Sequence, residues 1–254
     1  MEAAGADITG RIILARVPRT VPALLVVVLC ALSVASCGGG DQASSTPSST
    51  PGQGAATAPA GTLPAGCQKV AAPKPRGQQR VPRPTGRLAS GRPWTVVMRT
   101  NCGTIDIRLA TSRAPRTAAS FASLVRRGFY DGLTFHRIAG DPASGPFVIQ
   151  GGDPLGTGAG GPGFSVVEKP PAGVRYTRGT VAMAKTQSEP AGASGSQFFI
   201  VTAPDAGLPP EYALVGRVSR GLDVVERIAA VATTPDERPV APVVIQKATL
   251  RAEG

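Results

Sequence analysis

Residues 135–153, FHRIAGDPASGPFVIQGGD, set the terms for any fold this chain can adopt. Two short apolar runs flank a loop holding Gly140, Pro142, Gly145 and Pro146, which is turn chemistry between two strands. Alternation predicts neighbouring strands over residues 133–138 and 147–150. Arg137 then lies close to Phe147, Val148 and Gln150. An always-charged planar donor beside an apolar floor suits the grip on a peptide carbonyl next to an apolar side chain.

The chain around this stretch supplies more strands than helices. Trp94–Thr100 and residues 103–110 read as two strands, with Ile105, Ile107 and Leu109 on one face and Asn101-Cys102-Gly103 as a hairpin turn. Over 114–127 the period changes: Ala118, Phe121, Leu124 and Val125 make one helical face, Pro115 stands at its start and Gly128 at its C′ stop. A Gly-rich loop (156–163) follows, then strands over 180–185, 197–202 and 212–218, a helix over 222–230 and a last strand over 243–251. This pattern predicts a mainly β fold, a closed antiparallel barrel that leaves no sheet edges.

The first third reads differently. Arg11, Arg16 and Arg19 precede an apolar run from Val21 to Ala35, which is too short for a spanning helix of ~20 apolar residues. Residues 1–36 are therefore expected to be a signal peptide, with an uncleaved membrane anchor as the alternative; both place the rest outside the cytoplasm. Residues 38–66 are Gly, Ser, Thr, Pro and Ala, a composition that cannot offset ordering entropy. Residues 67–92 continue the linker in Pro and Arg, extended and partly lying on the domain if a disulfide forms, and the folded domain is expected over 93–254.

Charge follows this division. The formal charge is +11, and residues 37–92 hold Lys69, Lys74, Arg76, Arg80, Arg83, Arg87 and Arg92 against Asp41 alone. Basicity belongs mostly to this linker, which argues against a nucleic-acid-binding fold; the linker is either merely solvated or touches polyanions or anionic lipid. Of the four cysteines, Cys30 falls in the apolar leader. Cys67 and Cys102 remain downstream, expected as one disulfide in an oxidising compartment, or else as two free thiols.

Other chemistries find little support. The loop 156–163 is not followed by GK[ST] or a helical pattern, so it is not a phosphate loop. His136 is the single histidine, which excludes multi-histidine metal sites, and no Cys/His spacing suggests a metal. No serine lies in a nucleophile-elbow sequence, and His136 points away from the face of Arg137, so a structural role is expected for it.

Residues 135–153 resemble the signature of the cyclophilin family of peptidyl-prolyl isomerases, FHR-x-I…GFM-x-QGGD. The resemblance continues through RGTVAMA (178–184), GSQFFI (195–200) and LVGRV (214–218), in the family's order and spacing. It implies a closed eight-stranded antiparallel barrel with a helix over each open end, and an isomerase that uses no cofactor. It also implies Arg137 as the donor to the twisting amide, with Phe147, Val148, Phe199 and Leu208 lining a proline pocket. Gln150 and Gln197 would position the substrate backbone, Ala184 and Lys185 would offer main-chain groups, and Tyr212 and Gly156 would border the groove.

Val148, Lys185, Gly207 and Tyr212 replace the methionine, asparagine, tryptophan and histidine usual in eukaryotic members. The tryptophan missing at Gly207 is the family's hydrogen-bond donor to cyclosporin. Val34-Ala35-Ser36-Cys37 also resembles the lipobox of bacterial lipoproteins, which implies a lipid-modified Cys37. The expected protein is a monomeric, lipid-anchored isomerase outside the cytoplasm, acting on proline-containing peptides and unfolded exported proteins. The alternative is a proline-peptide-binding module or holdase on the same fold.

Overall fold

The structure, a computed structural model, describes residues 63–89, 91–141 and 145–253. The expected leader, its Cys37, the start of the linker and Pro142 lie outside the described residues. The elements are β1 (Trp94–Thr100), β2 (Gly103–Leu109), α1 (Pro115–Arg126), β3 (Phe135–Asp141), β4 (Gly145–Gly151), β5 (Val166–Val167) and β6 (Thr180–Met183). They continue with β7 (Ala193–Ser194), β8 (Phe198–Val201), β9 (Leu214–Arg220), α2 (Leu222–Ala229) and β10 (Ile245–Ala252). Two-residue strands β5 and β7, which no run of apolar residues announces, pair with each other.

The other eight strands form one antiparallel sheet in the order β10-β1-β2-β9-β6-β8-β4-β3. This corrects the expected closed barrel: the sheet is open, with β10 and β3 as its end strands. The two ends approach at an isolated bridge between Thr134 and Val244, where the Phe135 amide donates to Val243 O at 2.9 Å. Pro239 and Pro242 lie just upstream on that side. Proline offers no amide donor, so a ladder cannot extend through them to seal the sheet.

Helix α1 ends as its sequence predicts. Gly128 has φ +65°, its amide donates to Val125 O, and the Phe129 amide donates to Leu124 O, the paired bonds of a Schellman stop. Its apolar face, with Phe121, Leu124 and Val125, packs into the main core. Helix α2 packs on β2, β3 and β4.

The apolar runs in β6 and β8 are buried on both faces. Phe198 and Ile200 enter the main core with Val181 and Met183. Phe199, Val201 and Ala182 join a second cluster with Phe147, Val148, Tyr176, Leu208 and Tyr212. A strand covered on both sides reads as a continuous hydrophobic run, which is why TVAM and FFIV show no alternation. The second cluster is the floor of the site described below.

Residues 63–89 carry no helix or strand and lie extended on the domain. Cys67 and Cys102 form a disulfide. The Gln68 amide donates to Asn101 O (2.7 Å), the Arg76 amide to Pro154 O (2.9 Å) and the Val81 amide to Pro162 O (2.8 Å). Leu63, Val81 and Leu88 pack against the main core.

Candidate active site

Strand register assembles the site as a row. Arg137 on β3 faces Gln150 on β4, Gln150 faces Phe199 on β8, and Phe199 faces Ala182 on β6. Residues directly opposite in neighbouring strands share one face of a sheet. The row therefore brings the guanidinium, the amide and the aromatic ring together on the face of the second cluster.

Hydrogen bonds lock the polar half of this row. Arg137 Nη1 donates to Gln150 Oε1 at 3.2 Å, Gln150 Nε2 donates to Gln197 Oε1 at 3.0 Å, and Gln197 Nε2 donates to Gly158 O and Gly160 O at 2.8 and 2.9 Å. Gln150 and Gln197 are both buried, so each amide is oriented by partners and not by solvent. Beyond them lies a cleft of about 450 Å3 whose walls include Gly158–Ser165, Ala184, Thr186, Glu189 and Gln197.

The apolar half is a set of rings. Phe199 meets Tyr212 edge-on at 5.4 Å and Tyr176 at 6.3 Å between centroids. The Tyr176 hydroxyl donates to Tyr212 O (2.6 Å) and accepts from the Tyr212 amide (3.0 Å), which fixes the loop carrying Leu208 and Tyr212. Burial raises the pKa of both phenols above the usual tyrosine value, so they act as neutral walls.

Three expected contributors sit differently. The Ala184 amide donates to Gln197 O at 2.9 Å, continuing the β6–β8 ladder by one residue, so it is not free to meet a peptide. Lys185 is buried and turned inward: its ammonium lies 3.2 Å from Glu211 Oε2 and 5.8 Å from the Tyr212 ring centre. Gly156 stands apart from the cleft, closing a turn through its amide to Asp153 O (3.2 Å). Gly158 and Gly160 take the bonding role in that loop.

Asp153 organises the loop that holds Gln197. Its carboxylate accepts from the amides of Leu155, Thr157 and Gly158, and a Cβ at Gly160 would stand 2.0 Å from Asp153 Oδ1. Aspartate leading a glycine-rich run is the turn signal that reveals this role in the sequence.

Glu237 has no such signal. Its Oε2 accepts from Arg137 Nε at 2.6 Å, and its carbonyl accepts from the Ile138 amide at 2.8 Å. Glu237 has φ +61°, a left-handed conformation uncommon for a residue other than glycine. Nε and Nη1 are engaged in these two bonds, and among the described residues Nη2 makes no hydrogen bond.

His136, on the same strand, is not part of this network. Both ring nitrogens are buried without a hydrogen-bond partner among the described residues. Burial, first of all, lowers its pKa to about 4, with Arg137 and Arg238 adding to the effect and Asp153 opposing it. Among the described residues no three His, Cys, Asp or Glu side chains converge as a metal site requires.

The family model for cyclophilin type peptidyl-prolyl cis-trans isomerase/CLD matches residues 95–250. Curated relatives include the peptidyl-prolyl cis-trans isomerase-like 1 of Neurospora crassa, 39% identical over 162 residues, 62% of this chain and 94% of that protein. That of Homo sapiens is 39% identical over 163 residues, 63% of this chain and 93% of that protein. A solved cyclophilin type isomerase of Cryptosporidium parvum, crystallised in the presence of the dipeptide Ala-Pro, aligns with a TM-score of 0.57 at 28% identity. That alignment covers 63% of this chain and 99% of the other.

These relatives overturn one expectation. They are eukaryotic isomerases and not bacterial lipoproteins, so the lipid-anchored placement outside the cytoplasm does not stand. Among the described residues no helix is long and apolar enough to cross a membrane.

Proposed function

The chain belongs to the cyclophilin-type peptidyl-prolyl cis-trans isomerase family, and from that premise we propose how its residues speed X–Pro rotation. Amide resonance sets a barrier of ~18–20 kcal/mol, which leaves exchange at tens to hundreds of seconds. No nucleophile is needed. A catalyst has only to favour the twisted amide, whose proline nitrogen has lost resonance and accepts a hydrogen bond.

Arg137 supplies that donor. Gln150 and Glu237 hold its fork from two sides, so little reorganisation is needed when the amide twists. Phe147, Val148, Phe199, Leu208 and Tyr212 form the apolar surface that receives the proline ring. The cleft at Gly158–Ser165 takes the residues before proline, with Gln197 on its wall. The substrate class is the extended X–Pro peptide; the chemistry of the site sets no restriction to exported chains.

The observation that carries this reading is the row Arg137–Gln150–Phe199, which sets a charged donor beside an apolar floor. Its test is proline isomerisation of a short peptide, alongside thermal unfolding of each variant. Arg137→Ala is expected to lower the rate by about 10²–10³, the ~2.7–4 kcal/mol typical of one preorganised donor. Arg137→Lys should recover little, because a flexible point charge does not reproduce a planar fork. A near wild-type rate in Arg137→Ala would sink this mechanism. A wild type that binds peptide without accelerating rotation would make the protein a binding module.

A further inference from the structure

The segment 83–88 crosses the face of α1 and leaves a cleft on each side. One, of about 300 Å3, is walled by Arg83, Arg87 and Arg116. The other, of about 250 Å3, is walled by Arg83, Arg87, Arg126 and Arg127. No carboxylate lines either cleft; Thr85 and Gly86 border both, and Ser123 the second.

Among the described residues, no acidic side chain is paired with these arginines. Ion pairs among the described residues involve Arg108, Arg137, Arg175, Arg178, Lys185, Arg227 and Lys247, and none of the five cleft arginines. Glu168 reaches the start of α1, but it accepts from the amides of Arg116 and Thr117 and from the Thr117 hydroxyl. Among the described residues, the arginines therefore share two clefts with no carboxylate paired to them.

Their backbone is held at both ends. Val81 is bonded to Pro162 O upstream, and the Trp94 indole donates to Ala89 O at 3.1 Å downstream. Two side chains are fixed as well: Arg83 donates to Ser165 O, and Arg126 lies over the Trp94 ring at 5.3 Å. A held backbone reduces the ordering that ligand binding would otherwise require.

Guanidinium forks match phosphate oxygens two at a time, and arginine is favoured wherever such planar recognition is needed. Both clefts share Arg83 and Arg87, so a ligand with one phosphate in each would straddle the segment between them. We propose that this pair of clefts is an oligophosphate-binding site, separate from the isomerase row.

The test is calorimetric titration of the full chain with inorganic triphosphate at constant ionic strength. Saturable binding is expected, weakened by about tenfold or more in Arg87→Gln/Arg127→Gln, since each fork lost removes charge-assisted bonds. Arg99→Gln, an exposed arginine on β1, should bind as the wild type does, and isomerisation and thermal unfolding should be unchanged in all three proteins. Absence of saturable binding would overturn the proposal. So would an equal loss in Arg99→Gln, which would reduce the effect to net charge. Recruitment to phosphatidylglycerol vesicles without triphosphate binding would overturn it in favour of a flat anionic surface.

Discussion

Glu237 Oε2 stands 2.6 Å from Arg137 Nε, an ion pair formed across 100 positions of sequence. Arg137 is 16% exposed and Glu237 38% exposed at the side chain, so the pair is shielded on the arginine side and open on the other. The residue proposed to donate to the twisting amide is thus held by a carboxylate from a loop outside the sheet.

Removing that hold should cost activity more than stability. A half-exposed partner contributes less than the ~1.5–3 kcal/mol of a buried charge-assisted bond, so Glu237→Ala should lower kcat/KM by roughly three- to tenfold. Glu237→Gln keeps an acceptor for Nε and should recover most of the loss. An unchanged kcat/KM in Glu237→Ala would show that Gln150 alone positions the guanidinium.

His136 predicts how stability varies with acidity. Its folded pKa is lowered to about 4, while an unfolded histidine titrates near 6.5. The unfolded chain therefore binds the proton more readily. The contribution is fully present above about pH 6.5 and is lost as pH falls toward 4, amounting to ~3 kcal/mol at most. Urea unfolding between pH 7.5 and 4.5 should show this slope, and His136→Leu should flatten it. With a single histidine in the chain, no other imidazole confuses the assignment.

The Cys67–Cys102 bond closes a sequence separation of 35 residues and ties the extended segment to the β1–β2 turn. On the chain-entropy model such a loop stabilises by ~3–4 kcal/mol. Cys67→Ser should lower the unfolding midpoint accordingly and expose residues 68–81 to proteolysis. Free thiols found by non-reducing mass spectrometry of the purified protein would end this idea.

At Gly207 the family resemblance and the backbone pull in opposite directions. The missing tryptophan implies weak inhibition by cyclosporin, and a Cβ at this position would meet nothing within 4 Å. The backbone, however, has φ +62°, which costs an L side chain ~1–2 kcal/mol. Gly207→Trp should therefore tighten cyclosporin inhibition while slightly lowering stability. Tight inhibition of the unmodified protein would show that other residues supply the contact.

Much of this molecule was legible from residue pattern alone. Strands β1 and β2 and helix α1 appear within a residue of their expected bounds, because alternation, Pro115 and Gly128 are local signals that local physics obeys. Strand β9 was less so: the expected start at Tyr212 moves to Leu214, because the Tyr176 hydroxyl takes both backbone groups of Tyr212. The motif residues Arg137, Phe147, Gln150 and Phe199 could be named from sequence because the resemblance lies in their identity and spacing.

Only the tertiary structure decided which of them touch and what else joins them. The row from Arg137 to Ala182 runs across four strands, and its register is set by long-range pairing that no window of sequence contains. Whether the sheet closes was decided the same way, by how far the segment before β10 pairs with the start of β3, which is the isolated bridge Thr134–Val244. Glu237 reaches Arg137 because its turn is pinned to Ile138, and Lys185 turns inward because Glu211 is there to pair with it. A local pattern records which face a side chain can take; the partner on that face is chosen by contacts between distant segments, and these exist only once the chain is folded.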